Sequence, residues 1–260
     1  MNTDDLIVNC KSIDELDRDL VLKKLDRHQF CMIRGLICKK SLAEGVQLLH
    51  QFVETNDDRA CTGERPDEVR DYFMKMSIGL GNHSGHAINR SRFMRTVYLP
   101  LDKPDRFGLV SSFKIVANIR NILMGKNESF AIDRCDEGLW TAARVHHFPI
   151  GGGHMVTHKD TLAPDLLKDV NASYNYFQPI LVMSQKGSDF QSGGGVAMVD
   201  GELLEYEDFC EFGDIAIYDV STVHGVNEVD LDQPFHQRSS NGRYSGLVTL
   251  YKQIPSAMSA

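Results

Sequence analysis

The stretch HHFPIGGGHMVTHKD, residues 146–160, ends in a histidine and an aspartate two positions apart, His158 and Asp160. On a β-strand, side chains two positions apart project from the same face, so these two would point the same way. The Met-Val-Thr sequence before His158 favours a strand, and Gly151–Gly153 permit a tight backbone turn ahead of it. The sequence therefore predicts a strand that presents an imidazole and a carboxylate near its end.

A third candidate ligand, His224, lies 66 residues further on, in GDIAIYDVSTVHGV at positions 213–226. It follows a strand-like apolar run, as a ligand on a nearby strand would. Two histidines and one carboxylate on one face of a metal ion hold non-haem Fe(II) and leave the opposite positions open. We therefore predict an iron site and catalytic centre formed by His158, Asp160 and His224, with ordinary structural histidines as the alternative.

His154 competes for a ligand role. It precedes His158 by four residues, a spacing that binds zinc on a helix in H-E-x-x-H, but no glutamate lies between them and three glycines make a poor helix start. On a strand His154 would share the face of His158 while lying further along it. We assign His154 to the surroundings of the metal or to substrate binding, and a purely structural role stays open.

The bulk composition is that of an ordinary globular domain, with 260 residues, 42% hydrophobic and 25% charged residues, and a formal net charge of −8. An acidic balance argues against a nucleic-acid partner, because affinity for phosphate backbones comes chiefly from Lys and Arg. The six cysteines form no C-x-x-C pair, the N-terminus lacks the apolar core of a signal peptide, and no apolar run reaches membrane-spanning length. We expect one cytoplasmic domain over 1–260 with a small-molecule substrate; the oligomeric state stays open.

The first half, about 1–139, is predicted to form helical support and a substrate lid. Ser12 with Glu15, and Ser41 with Glu44, match the capping box that begins many helices, and apolar residues follow each pair at helical spacing.

A further helix is predicted over 108–124, stopped by Gly125, and FCMIRGLI at 30–37 is predicted to be a buried strand. Segment 56–104 is rich in Gly, Asn, His, Arg and Pro, and long irregular segments of compact domains are often lids or binding loops. We therefore expect 56–104 to cover the substrate.

From about 140 to 252 the pattern changes to short strands separated by Gly-, Asp- and Ser-rich turns. The strands are expected in AARVHHF, HMVTHKD, NYFQPILVMS, GGVAMV, DIAIYD and YSGLVTLYK. Short strands without long helices between them indicate an antiparallel sandwich or barrel rather than a Rossmann-like alternation. The predicted fold class is mainly β with flanking α-helices.

As an ordered set, these motifs resemble the Fe(II)- and 2-oxoglutarate-dependent dioxygenases. That family has H-x-D after a glycine-containing turn, a middle strand pair joined through a Gly-Gly turn, a distal histidine and then Arg-x-Ser. In this chain the middle pair is similar to LVMSQKGSDFQSGGGVAM, and Arg243-Tyr244-Ser245 matches Arg-x-Ser nineteen residues after His224. The resemblance covers about 140–252.

The resemblance implies a double-stranded β-helix, a jelly-roll or cupin-like barrel that binds Fe(II), 2-oxoglutarate as cosubstrate and O₂. The distal carboxylate of 2-oxoglutarate needs a fixed cation, and a guanidinium suits it because its planar fork pairs bidentately with a carboxylate. We expect Arg243 to bind it and Ser245 to add a hydroxyl. Arg144 and His146 lie two apart on a predicted strand and are further candidates near the cosubstrate.

Arg238 is the alternative anchor, fourteen residues after His224. Its surroundings, QRSSNG, have the composition of a loop, which would leave the guanidinium in solvent. We favour Arg243, because a buried charge needs rigid support.

The implied activity is hydroxylation of an unactivated C–H bond in a small polar metabolite, an amino acid or natural-product intermediate, with release of succinate and CO₂. Arg92 and Arg95 are candidates for binding an anionic group of the substrate, with solvated surface charges as the alternative. The motifs do not distinguish hydroxylation from desaturation, cyclisation or epimerisation. Two other classes remain: a cupin-like isomerase or hydrolase that does not use 2-oxoglutarate, and a non-catalytic barrel that only binds a ligand.

Overall fold

The strands and helices come from a computed structural model, which describes residues 2–59, 68–78, 82–83, 87–88, 91–160 and 176–252. Within these ranges the helices are α1 (Arg18–His28), α2 (Lys39–Thr55) and α3 (Val110–Leu123). The strands are β1 (Ile7–Asn9), β2 (Cys31–Arg34), β3 (Phe73–Ser77), β4 (Asn82–His83), β5 (Ala87–Ile88), β6 (Ser91–Arg92), β7 (Met94–Leu99), β8 (Leu139–Pro149), β9 (Gly153–His158), β10 (Phe177–Val182), β11 (Gly194–Val199), β12 (Glu202–Glu205), β13 (Ile215–Asp219), β14 (His224–Val229) and β15 (Gly242–Lys252).

Two sheets form the body of the protein. The larger has eight strands in the order β1-β2-β13-β10-β15-β8-β7-β3, and the smaller has five in the order β12-β11-β14-β9-β6. The strands β8, β10, β13 and β15 lie in the larger sheet and β9, β11, β12 and β14 in the smaller, so the chain passes repeatedly from one sheet to the other. This winding is a double-stranded β-helix, which confirms the predicted fold class.

Alternation along the central strands gives the larger sheet two different faces. On β15, Tyr244 and Val248 belong to the hydrophobic core that includes residues of all three helices. Arg243, Ser245 and Leu247, at odd-numbered positions of the same strand, line a cavity instead. Because neighbouring side chains of a strand point to opposite faces, one strand serves both the packed core and the site.

Helix α3 packs on this sheet at a position where a glycine is required. A Cβ on Gly246 would lie 2.8 Å from the ring of Phe113 and 2.9 Å from the sulfur of Met183. The absence of a side chain therefore lets the Phe113 ring rest directly on the β15 backbone.

The third predicted helix is confirmed, since α3 spans Val110–Leu123 and Gly125 has a positive φ of 72°. A glycine adopts this left-handed conformation without steric cost, which suits it to follow a helix end. At the start of α3, the carboxylate of Asp105 accepts hydrogen bonds from the backbone N–H groups of Leu109 and Val110.

The predicted first capping box is wrong. Ser12 makes no capping hydrogen bond and precedes only a short 3-10 turn, and the carboxylate of Glu15 accepts from the Lys11 N–H rather than from that of Ser12. The α1 helix starts after Asp17 instead, whose side chain accepts from the Leu20 N–H at 2.9 Å.

The second box is wrong as well. The α2 helix starts at Lys39, so Ser41 lies inside its first turn, where its hydroxyl donates to the Cys38 sulfur.

Segment 56–104 differs from the predicted lid. Its stretches β3 and β7 pair with each other, and β7 pairs with β8, so both belong to the larger sheet. Val97 and Leu99 join the helix-side core, an effect of tertiary packing that the polar composition of the segment concealed. Residues 60–67, 79–81, 84–86 and 89–90 of the predicted lid lie outside the described residues.

None of the described helices is long and apolar enough to cross a membrane.

Candidate metal centre and adjoining cavity

Three side chains that are far apart in sequence converge between the two sheets. One potential ligand atom from each of His158, Asp160 and His224 lies within 4.8 Å of the others. Strand pairing explains the convergence, because β9 and β14 are antiparallel neighbours with His158 opposite His224. Asp160 follows β9, and its backbone N–H donates to the carbonyl of Val220 at 3.1 Å, which fixes it beside the start of β14.

Both imidazoles are oriented by their own backbone. The Nδ1 of His158 lies 2.9 Å from the carbonyl of Val156, and the Nδ1 of His224 lies 2.9 Å from that of Thr222. A carbonyl can only accept, so each Nδ1 carries a proton, and Nε2 is the ring nitrogen that could bind a metal. Metal-bound histidines are held in the same way, through the ring nitrogen that does not bind the metal.

The two Nε2 atoms point towards the carboxylate of Asp160. They lie 3.6 Å and 3.7 Å from its oxygens, longer than a hydrogen bond and consistent with three donors arranged around an ion. Burial on its own would raise the pKa of Asp160, but the interactions with the neighbouring His158 and His224 outweigh it and lower the pKa below the usual value. Asp160 is therefore ionised, as a metal ligand must be. The donor set fits Fe(II).

A β-bulge interrupts β9 between the glycine turn and the ligands. His158 pairs with His224, and Met155 pairs with Val226. Three steps along β9 therefore match two steps along β14. Met155 therefore lines the cavity together with His158. His154, which strict alternation had placed on the ligand face, is absent from the cavity lining, and its Nδ1 lies 3.1 Å from the Gly152 carbonyl.

The three side chains open into a cavity of about 150 Å³ between the sheets. These three residues are the one group of three potential metal ligands found among the described residues. Arg144, His146, Arg243 and Ser245, all candidates from the sequence, line this same cavity.

Arg243 is buried and held by three partners. Its Nε donates to Glu207 Oε1 at 2.6 Å, its Nη1 to Ser245 Oγ at 3.0 Å and its Nη2 to Tyr206 Oη at 3.0 Å. Burial would lower the pKa of the guanidinium, but the charge of Glu207 raises it above the usual value. Arg243 is therefore a fixed cation in the wall of the cavity.

Arg238 has the exposed position that its sequence surroundings indicated. Its side chain is 73% exposed and donates to Asp57 Oδ1 at 2.7 Å. A guanidinium on this surface does not line the cavity.

Arg95 does not line the cavity and forms a buried ion pair instead. Its guanidinium is 1% exposed and pairs with both carboxylate oxygens of Asp58, at 2.9 Å and 3.0 Å. It also lies 3.1 Å from Nδ1 of His147, whose ring stacks on Tyr244 on the helix side of β15. The geometry therefore removes Arg95 from the candidate site. Arg92 is exposed on the edge strand β6, with its guanidinium over the ring of Phe93, and does not line the cavity.

Replacing Arg95 with methionine should destabilise the fold without changing the site. The substitution leaves Asp58 without its buried partner, a loss that costs about 3–5 kcal/mol of unfolding free energy. Urea unfolding measures this loss, and Arg92→Met on the exposed edge serves as the control with a much smaller change. A 2-oxo-acid affinity that fell with Arg95→Met in the folded protein would contradict the assignment.

Sequence reasoning missed several residues that line or support the cavity. The acidic run 202–211 has the composition of a solvated turn, yet Tyr206 and Glu207 are buried beside Arg243. Tyr218 stacks on the imidazole of His224 with ring centroids 4.3 Å apart, and Gln178 lines the same wall. No local pattern distinguishes a buried glutamate from its exposed neighbours, so only the fold identifies Glu207.

No protein-family model matches this sequence, and no curated protein matches it either. Similarity is found among solved structures. A prolyl hydroxylase from Trichoplax adhaerens, solved with a peptide fragment of the hypoxia inducible factor oxygen degradation domain, has a TM-score of 0.52 and 13% identity over 94% of this chain and 92% of that one.

Two further solved structures agree with this similarity. A prolyl-4-hydroxylase from Pseudomonas putida has a TM-score of 0.51 and 9% identity, over 92% of this chain and 100% of that one. SnoN, a non-haem alpha-ketoglutarate-dependent epimerase from nogalamycin biosynthesis, has a TM-score of 0.51 and 11% identity, over 93% of this chain and 87% of that one. This chain therefore has the fold of the Fe(II)- and 2-oxoglutarate-dependent oxygenases, the superfamily that its motifs resemble.

Proposed function

We propose that this protein is an Fe(II)- and 2-oxoglutarate-dependent oxygenase that hydroxylates a C–H bond of a small polar metabolite, with release of succinate and CO₂. The observation that carries the proposal is the cluster of His158, Asp160 and His224, in which both Nε2 atoms lie within 4 Å of the carboxylate oxygens. In this proposal these three side chains bind the iron by one face. The opposite face is left for the cosubstrate, the substrate and O₂.

Arg243 is the proposed anchor for the distal carboxylate of 2-oxoglutarate. It lines the same cavity as the three ligands and is charged, buried and rigidly held, so a carboxylate can pair with it without first having to order it. Ser245 would add its hydroxyl from the same strand. Arg144 and His146 on β8 line the same cavity and would contact the cosubstrate or the substrate.

Iron bound at this centre would supply the activation of O₂ that oxidises 2-oxoglutarate and the substrate. The protein's own contribution is positioning and exclusion of water. The backbone-held imidazoles fix the direction of the metal face. Met155 from the smaller sheet, with Ile180 and Leu247 from the larger sheet, makes part of the cavity lining apolar. Arg144 adds a positive charge to the lining, which suits a polar or anionic group of the substrate.

The size and lining of the cavity support a small polar substrate. Its volume of about 150 Å³ is below the roughly 300–1,000 Å³ of typical ligand pockets, which favours a small group over a bulky one. Prolyl hydroxylases and an epimerase have the same fold, so the fold does not select the reaction. Hydroxylation, rather than epimerisation, is therefore part of the proposal.

The test is turnover by the purified protein reconstituted with Fe(II) under anaerobic conditions. After addition of 2-oxoglutarate, O₂ and a pool of amino acids and other polar metabolites, succinate should form in proportion to one product that has gained an oxygen atom. Product mass distinguishes hydroxylation from desaturation or epimerisation. Bound iron with no succinate from any pool would contradict an oxygenase and favour the cupin-like isomerase or hydrolase.

A further inference from the structure

The wall of the cavity contains a buried carboxylate that has no part in the proposed metal site. Glu207 follows the short strand β12, and its side chain is 2% exposed, as is that of Arg243. Each carboxylate oxygen has its own partner: Oε1 accepts from Arg243 Nε at 2.6 Å, and Oε2 accepts from the backbone N–H of Gly195 at 3.0 Å. Glu207 thus ties the guanidinium to the backbone of β11 in the opposite sheet.

The space for this link is provided by two adjacent glycines. A Cβ on Gly194 would lie 2.4 Å from Oε2 of Glu207, and a Cβ on Gly195 would lie 2.2 Å from the hydroxyl of Tyr206. Any larger residue at either position would displace one of Arg243's partners. The Gly-Gly pair in the sequence is therefore matched to the Tyr206-Glu207 pair that lies under it.

The contacts determine which part of the guanidinium remains available. A guanidinium has five N–H groups, and three of Arg243's are used by Glu207, Ser245 and Tyr206. Two N–H groups remain without a partner among the described residues, both on the terminal nitrogens. Two parallel N–H groups are what one carboxylate needs for a bidentate pair.

We propose that Glu207 is a positioning residue for the cosubstrate: it holds Arg243 by Nε, so that the terminal N–H groups face the distal carboxylate of a 2-oxo diacid. This inference rests on the proposed function, in which Arg243 binds that carboxylate. Its consequence is selectivity for a second carboxylate, which a 2-oxo acid ending in a methyl group lacks.

The charge and the length of the Glu207 side chain have opposite effects on binding of a carboxylate, and two substitutions separate them. Its negative charge repels an incoming carboxylate, whereas its length sets the direction of Arg243. Glu207→Asp keeps the charge but is one methylene too short to reach Nε and the Gly195 N–H together. Glu207→Gln keeps the length and one acceptor, for Nε, but removes the charge and the second acceptor, for the Gly195 N–H. A positioning role predicts that affinity follows length.

The experiment is anaerobic titration of the Fe(II)-loaded protein with 2-oxoglutarate and with 2-oxopentanoate, an acid of equal chain length that ends in a methyl group. Glu207→Asp should bind 2-oxoglutarate about tenfold more weakly than the wild type, the loss of one charged hydrogen bond. Its affinity for 2-oxopentanoate should be unchanged, a result that a general structural defect would not give. Glu207→Gln should bind 2-oxoglutarate more tightly than Glu207→Asp.

Wild-type affinity for 2-oxoglutarate in Glu207→Asp would overturn the inference, because charge alone would then suffice. Equal losses for both acids would overturn it too. Glu207→Gln leaves a buried guanidinium without a counter-ion, so its folding is checked first by thermal unfolding, and Glu207→Asp decides alone if it does not fold. A wild type that binds both acids equally would instead refute the proposed anchor, and with it that part of the proposed function.

Discussion

Replacing His158 with alanine should abolish binding of Fe(II), while replacing His154, four residues earlier, should leave it intact. Loss of a group that only supports a ligand already costs 10–100-fold in metal affinity, so loss of a ligand should cost more than about 100-fold. Both histidines lie on β9, but the bulge turns only His158 towards Asp160. The two variants therefore remove the same kind of side chain from the same strand, but only His158→Ala removes a proposed metal ligand.

The measurement is equilibrium binding of Fe(II) under anaerobic conditions, with circular dichroism to show that both variants are folded. Production of succinate should disappear in His158→Ala and persist in His154→Ala. Loss of iron in both variants would show that the bulge does not separate the two histidines, and retention of iron in both would remove His158 from the metal site.

Replacing Arg243 with methionine should weaken binding of 2-oxoglutarate strongly while leaving Fe(II) affinity in place. Truncating one partner of a buried, hydrogen-bonded charge pair costs about 2–5 kcal/mol, roughly 30-fold or more in affinity. Arg238→Met is the matched control, because it removes the other candidate guanidinium from an exposed loop. The readout is the concentration of 2-oxoglutarate at half-saturation.

The Arg243→Met variant leaves Glu207 buried without its partner and so loses stability as well. The double variant Arg243→Met with Glu207→Met removes both charges and should recover part of that stability, since a buried ion pair replaced by apolar groups is often neutral. If the recovered fold still binds 2-oxoglutarate as tightly as the wild type, Arg243 is not the anchor. A loss in Arg238→Met instead would move the anchor to the loop.

The strand half of the molecule could be predicted from sequence because its patterns are local. Each of three motifs is a short continuous segment with a strand-like composition: the strand that ends in His158, the apolar run before His224, and the Arg-x-Ser of β15. The helix over Val110–Leu123 was predictable for the same reason, since its apolar spacing and the following Gly125 agree.

What the sequence did not reveal depends on contacts between distant segments. The bulge in β9 is visible only in its pairing with β14, so alternation alone put His154 in the place that Met155 occupies. Glu207 resembles its solvated neighbours until β11 and β15 are brought together around it. Strands β3 and β7 lack clear alternation, and it is their pairing in the larger sheet that makes them strands.

The most direct test of the account is the absorption spectrum of the protein during anaerobic addition of one equivalent of Fe(II), followed by 2-oxoglutarate. The account predicts uptake of one iron per chain and then a metal-to-ligand charge-transfer band, because the 2-oxo acid would chelate iron held by His158, Asp160 and His224. A protein that takes up no iron, or that takes up iron and shows no band with 2-oxoglutarate, would contradict it.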